Sequence, residues 1–343
     1  NNRVYINRNQ KHTLEYLDTV GFVADQGGRG FHLPVDMAIR NDGRIYVASR
    51  SHYQSPNIIG IQIVSIHHEF FGQVGSHGTE DGEMISPSAL AIDNNDRLYL
   101  ADETLQRITV YDKNNTYMYK WGAPGSADGE IDGPSGLVFD SDNNLLVVDH
   151  KNHRVQKFTS DGYFLCKFGS FGKADGQFDH PWGITVDAEN CIYVADWRND
   201  RIQKFTCDGQ FVSKFGRSGT GPGEFNRPSN VTVDSLGFIY VADWGNQRVQ
   251  MLAADGTFIL ALRGQATLSP WATEYLESNA DEAMARSTYV PVYDSGSDDP
   301  NEISARIEPY FWDPVTVALD NKDRLHVLET GRHRFQIYSR VEV

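Results

Sequence analysis

Apolar runs of five or six residues, each closed by Asp, Asn or Gly, return along this chain at a nearly constant beat. A proline opens each unit, at Pro34, Pro87, Pro134, Pro181, Pro228 and Pro314, in steps of 53, 47, 47, 47 and 86 residues. The proline leads into SALAID, SGLVFD, WGITVD, SNVTVD or VTVALD, then a polar turn, then RLYLAD, LLVVDH, CIYVAD or FIYVAD. A third run follows (RITVY, RVQKF, RIQKF, RVQML, RFQIY), and Asp-Gly turns lead to a fourth (YFLCKFG, QFVSKFG, TFILALRG). Short runs rich in Val, Ile, Tyr and Phe between turn residues read as strands, and Asp-Gly favours tight hairpins. Four short antiparallel strands repeated at a period in the forties is the arithmetic of a propeller blade. The pattern predicts an all-β, single-domain, six-bladed β-propeller with blades over 34–75, 87–122, 134–169, 181–216, 228–264 and 314–343.

The last unit stops after its third strand, RFQIYS, while LEYLDTVG at 14–21 stands ahead of Pro34 much as each internal fourth strand stands ahead of its own proline. An N-terminal strand is therefore predicted to close the ring and remove an open sheet edge. The connector between Gly264 and Pro314 is far longer than the others, and PWATEYLESNADEAMARS within it reads as helical. A partly helical insertion over 265–313, between blades 5 and 6, is expected to act as a lid. Residues 1–13 suit either an outer strand or a contact with another subunit.

The frame Asp-x-x-Asn-x-Arg-[Ile/Val]-Gln recurs as Asp149/Asn152/Arg154/Gln156, Asp196/Asn199/Arg201/Gln203 and Asp243/Asn246/Arg248/Gln250. With the FG…DGQF..P connector it resembles NHL repeats, over nearly the whole chain. The resemblance implies a six-bladed propeller and a range of activities, from peptidylglycine alpha-amidating lyases and streptogramin B lyase-type enzymes to RNA- or protein-binding modules and sensor domains. Fold alone does not choose among them. The repeated Asn and Arg read as scaffold. In the amidating lyases, as the resemblance implies, a zinc histidine follows the blade proline. Here those positions hold Val35, Ser88, Ser135, Trp182, Ser229 and Val315, so that zinc site does not carry over.

Strand alternation puts the loop before each proline and the loop after strand two on one face. That face collects Arg50, Glu103, His150, Trp197, Trp244 and Thr330 after the second strands, and His32, Asp36, His180, Trp182, Arg227 and Asp313 around the prolines. His150, His180, Asp36 and Asp313 are the candidate acid–base groups, because imidazole exchanges protons near neutrality. Arg50, Tyr53, Trp182, Trp197, Arg198, Arg227 and Trp244 are the candidate substrate-binding groups: aromatic walls with a few cations describe a ligand pocket. The bland reading packs Trp197 and Trp244 between blades and leaves the histidines in water.

A net charge of −15 opposes broad nucleic-acid binding, and no apolar run is long enough to span a bilayer. The three cysteines, Cys166, Cys191 and Cys207, suggest free thiols and a cytoplasmic setting, though Asn1 at the start leaves export after removal of a leader open. No G-x-S-x-G, phosphate cradle or calcium loop is present. A divalent cofactor would have to draw on His32, His150 and His180, whose spacing makes no motif. The sequence therefore points to a small-molecule lyase or hydrolase on the loop-rich face. The alternative is a non-catalytic propeller binding a protein, peptide or glycan.

Overall fold

The computed structural model describes residues 5–6, 12–24, 28–50, 58–288 and 296–342. Six inner strands, Pro34–Ile39, Pro87–Ile92, Pro134–Phe139, Pro181–Val186, Pro228–Val233 and Pro314–Leu319, stand around one axis. Each packs on the next, and Pro314–Leu319 returns to Pro34–Ile39. Every inner strand begins a four-stranded antiparallel sheet, so the ring has six blades, as the repeat predicts.

Closure takes the predicted form. Strand His12–Val20 pairs antiparallel with Arg334–Glu342, the long third strand of blade 6, with Val20 opposite Phe335 and His12 opposite Glu342. Farther upstream, Tyr5–Ile6 pairs with Ala261 and Leu260, adding a fifth strand to blade 5. The outer-strand option for the first residues is the one realised there.

The core lies between blades. Leu146, Val148 and Val155 of blade 3 meet Ile184, Ile192, Val194 and Phe205 of blade 4, with Phe178 of the connector wedged among them at 0 % exposure. Burying a phenylalanine this fully contributes about 1.5–3 kcal/mol. Five further clusters repeat the arrangement around the ring.

The recurrent polar frame clamps each connector to its blade. Asp196, 0 % exposed, accepts from Asn199 Nδ2 (2.9 Å), Arg201 Nε (2.8 Å) and the Asp179 amide (2.8 Å). Arg201 donates onward to the carbonyls of Lys173, Ala174 and Gln177. Gln203 accepts from the Gly176 amide and donates to Gln177 O. The same contacts recur around Asp149 and Asp243. A buried charge is tolerable when paired and fully hydrogen-bonded, and these carboxylates are.

The insertion forms helices α1 (Pro270–Ser278), α2 (Ala280–Thr288) and α3 (Pro300–Arg306). Ser269 caps α1 through the Ala272 amide and also donates to Gly21 O at the end of the closing strand. Trp271, 2 % exposed, donates to His68 O of blade 1. α3 lies against Trp244–Asn246, and its Ser304 and Ala305 carbonyls accept from Arg332. Among the described residues, α1 thus docks on the wall of blades 6 and 1, α3 meets the loop-rich rim at Trp244–Asn246, and Glu282, Ala285 and Arg286 of α2 share a cavity with Gly331, Arg332 and His333.

Candidate active site

The residue after each second strand occupies one repeat position, so Arg50, Glu103, His150, Trp197, Trp244 and Thr330 form a ring around the mouth, one per blade. Backbone bonds from Arg50, Glu103, His150 and Thr330 to carbonyls just before the blade prolines hold this level of the ring. The position is fixed by the repeat while the side chain is free to vary.

The ring is chemically divided. On one side Arg50 Nη2 lies 3.3 Å from Glu103 Oε2, and Glu103 Oε1 lies 3.5 Å from both His150 Nε2 and Lys151 Nζ. The His150 contact has ion-pair rather than hydrogen-bond length. His150 first, then Arg50 and Lys151, hold the Glu103 carboxyl down to a pKa of about 2. His150 is 6 % exposed, and its ring lies 5.0 Å from Trp182 and 5.9 Å from His180. On the other side Trp197 and Trp244 are 6.4 Å apart, with Arg227 over Trp197 at 5.0 Å and Arg198 at 5.8 Å. Cations at that range gain from the ring quadrupole.

Other candidates are placed elsewhere or occupied. Asp36 lies in the central channel, a cavity of about 340 Å³ lined by all six inner strands. Its Oδ2 accepts from the Leu90 amide (2.7 Å) and its Oδ1 lies 3.0 Å from Thr316 Oγ1, so it joins blades 6, 1 and 2 rather than facing His150. Burial drives its pKa up to about 7. Asp313 meets Gln247 and Asn301 at the blade 5–6 rim, away from both histidines, and burial raises its pKa. His32 faces His333 at 5.6 Å, so His32, His150 and His180 do not form one cluster. Tyr53 lies outside the described residues.

A structural rule missed in the sequence explains two more histidines. The residue before the blade proline is left-handed at Leu33, Gly133, His180, Arg227 and Asp313, though not at Ser86, and so is the residue four after the second strand at Gln106, His153, Asp200, Gln247 and His333. The side chain of the second accepts the amide of the first: His333 Nδ1 from Leu33, His153 Nδ1 from His180, Asp200 from Arg227, Gln247 from Asp313. His153 and His333 are therefore loop staples. The signal was visible as their shared place in the frame with Asp200 and Gln247.

Metal binding fits poorly. His153, Asp179 and His180 bring ligand atoms within 4.8 Å of one another. But His153 Nδ1 takes the His180 amide, and His180 Nδ1 lies 2.7 Å from Asp179 Oδ1. A metal on His153 Nε2 would require a proton on Nδ1, where an N–H already points. At the positions directly after the blade prolines, Ser135 Oγ donates to Pro181 O (3.2 Å) and Ser229 Oγ to Val315 O (2.8 Å). Those hydroxyls join neighbouring blades.

Comparison with known proteins agrees with this geometry. Residues 184–261 match a family described as 6-bladed beta-propeller, and residues 132–158 match the NHL repeat. The chain is a six-bladed β-propeller of NHL-type repeats. No curated protein matches the propeller's sequence. Among solved structures it is similar to a streptogramin B lyase (14 % identity, 96 % of this chain and 98 % of that one, TM-score 0.56). It is similar to a gluconolactonase from Xanthomonas campestris (12 %, 95 % and 99 %, TM-score 0.58). It is also similar to a chain in a nidogen/laminin complex (18 %, 73 % and 93 %, TM-score 0.52). At such identities the likeness shows the fold of the propeller alone.

Proposed function

We propose that the propeller binds a small molecule at the mouth and acts on it by lyase or hydrolase chemistry. The observation that carries this is the His150–Glu103 pair: a nearly buried imidazole beside a carboxylate, flanked by Arg50 and by the Trp182 ring. Glu103 orients and stabilises the imidazolium when His150 takes a proton. Arg50 and Lys151 are placed to draw in a carboxylate or a developing oxyanion. Trp182 supplies an apolar wall. His180, adjacent to His150 and bonded to Asp179, is a second proton carrier. Structurally similar propellers include a lyase and a lactonase, which supports the reaction class without assigning it.

The aromatic side favours a second reading. Trp197 and Trp244, both part-exposed and accompanied by Arg198 and Arg227, form the aromatic–arginine surface that protein and peptide partners use.

A screen of lactones, esters and cyclic depsipeptides, followed by a proton-release indicator, distinguishes the two. Wild type should turn over at least one class, and His150→Gln should lower kcat by about 10²–10⁴ at unchanged thermal midpoint. Turnover that is indifferent to His150→Gln sinks the catalytic reading.

A further inference from the structure

The tryptophan side of the mouth carries charge that the fold leaves unspent. Arg198 and Arg227 are both exposed, and both lie over the Trp197 ring, at 5.8 and 5.0 Å from its centroid. Neither guanidinium has a hydrogen-bond or ion-pair partner among the described residues. The cations across the mouth differ, since Arg50 and Lys151 share Glu103. Acids are not scarce in a chain with 46 Asp and Glu against 31 Lys and Arg. Yet the carboxylates of these same loops are engaged elsewhere: Asp200 accepts the Arg227 amide at 2.7 Å, and Asp179 Oδ1 lies 2.7 Å from His180 Nδ1. An indole face steadies a guanidinium and uses none of its five N–H donors.

The blade frame does not ask for arginine at either place. Positions equivalent to Arg198 hold Thr104, Gly245 and Gly331, and those equivalent to Arg227 hold Leu33, Ser86 and Gly133. Arginine enters once in blade 4 and once at the entry to blade 5, beside the two indoles. Trp244 is part-exposed, 6.4 Å from Trp197 and inclined to it by 46°. Among the described residues no cation lies over its ring, so that indole is open to an aromatic partner.

We propose that this side of the mouth is the recognition subsite for an aromatic carboxylate. Arg198 and Arg227 clamp the carboxylate, and the arene lies on Trp244. Arginine–carboxylate hydrogen bonds are charge-assisted, and tilted or offset aromatic contacts add to the area they bury. His150, Trp197 and Trp244 hold one repeat position in consecutive blades, so a ligand anchored here extends its other end toward His150. The inference deepens the small-molecule reading of the mouth and rests on it. It names the substrate class as a compound whose aromatic carboxylate is remote from the bond that reacts.

Calorimetric titration of the full chain with cinnamate tests it, with cinnamyl alcohol and acetate as controls that remove the charge and the ring in turn. Wild type should bind cinnamate saturably and at least about tenfold more tightly than either control. The double variant Arg198→Gln/Arg227→Gln changes two exposed side chains, so it should keep the thermal midpoint and weaken cinnamate by at least about tenfold. Trp244→Ala should weaken it by at least about threefold. Cinnamate offers no ester or lactone to cleave, so its binding is read apart from turnover. Binding without turnover in the substrate screen supports the subsite and sinks only the catalytic reading. Turnover without cinnamate binding overturns the subsite alone. Cinnamate binding no tighter than either control, or smaller losses in the variants, also overturns it.

Discussion

At Asp36 a single hydroxyl proton is asked to serve two acceptors. Thr316 Oγ1 lies 3.2 Å from Val35 O and 3.0 Å from Asp36 Oδ1, and it cannot donate to both. Protonating Oδ1 resolves the conflict: the carboxyl then donates to Thr316, whose own proton turns to Val35 O. This geometry gives the same direction as burial, which takes the pKa to about 7 from an ordinary 3.8. The folded form holds the proton more tightly than the unfolded chain. The resulting stability is fully present below about pH 4 and is lost as pH rises through 7. Asp36→Asn copies the protonated state, since its amide can donate to Thr316 while its carbonyl accepts from Leu90. Wild type and variant should have similar melting midpoints at pH 4, and the variant should melt several degrees higher at pH 8. A variant that melts lower at pH 8 removes this account. The residue was legible in the sequence as a carboxyl near the mouth. Its role was not, because Thr316 lies 280 positions away along the chain.

At the scale of the element, the blade depends on its clamp. Arg201 holds three connector carbonyls and a carboxylate that is fully buried. Arg201→Ala leaves Asp196 charged and unpaired, a loss of about 3–5 kcal/mol. Lysine keeps the charge but lacks the planar fork, so Arg201→Lys should recover only part of the loss. Denaturant midpoints of the two variants check this; an alanine variant within about 0.5 kcal/mol of wild type would refute the clamp. The sequence marked these residues as scaffold because they recur in frame. The same logic was available for His153 and His333, which share their place in the frame with Asp200 and Gln247 and do the same work. The insertion shows the opposite limit. Its helices could be read from Ser269, Pro270 and the run that follows, but not the wall they dock on. That was decided by Trp271 fitting the seam between blades 6 and 1.

For the whole molecule, closure is the decisive contact. Strand His12–Val20 supplies the fourth strand of the last blade, and without it the nine-residue strand Arg334–Glu342 would present an open edge. Deleting residues 1–20 should abolish a single cooperative unfolding transition and produce dimers or larger species by size-exclusion chromatography. A monomer with an unchanged transition would show that the ring does not need this strand. The sequence by itself determined the blade count, the strand order and the closing strand, because periodicity and turn chemistry are local and repeat in frame. Tertiary structure alone decided which rim residues become neighbours, that Glu103 backs His150, and that Asp36 is shared by three blades. Each of these depends on bending six sheets around an axis, which brings together positions that no spacing along the chain relates.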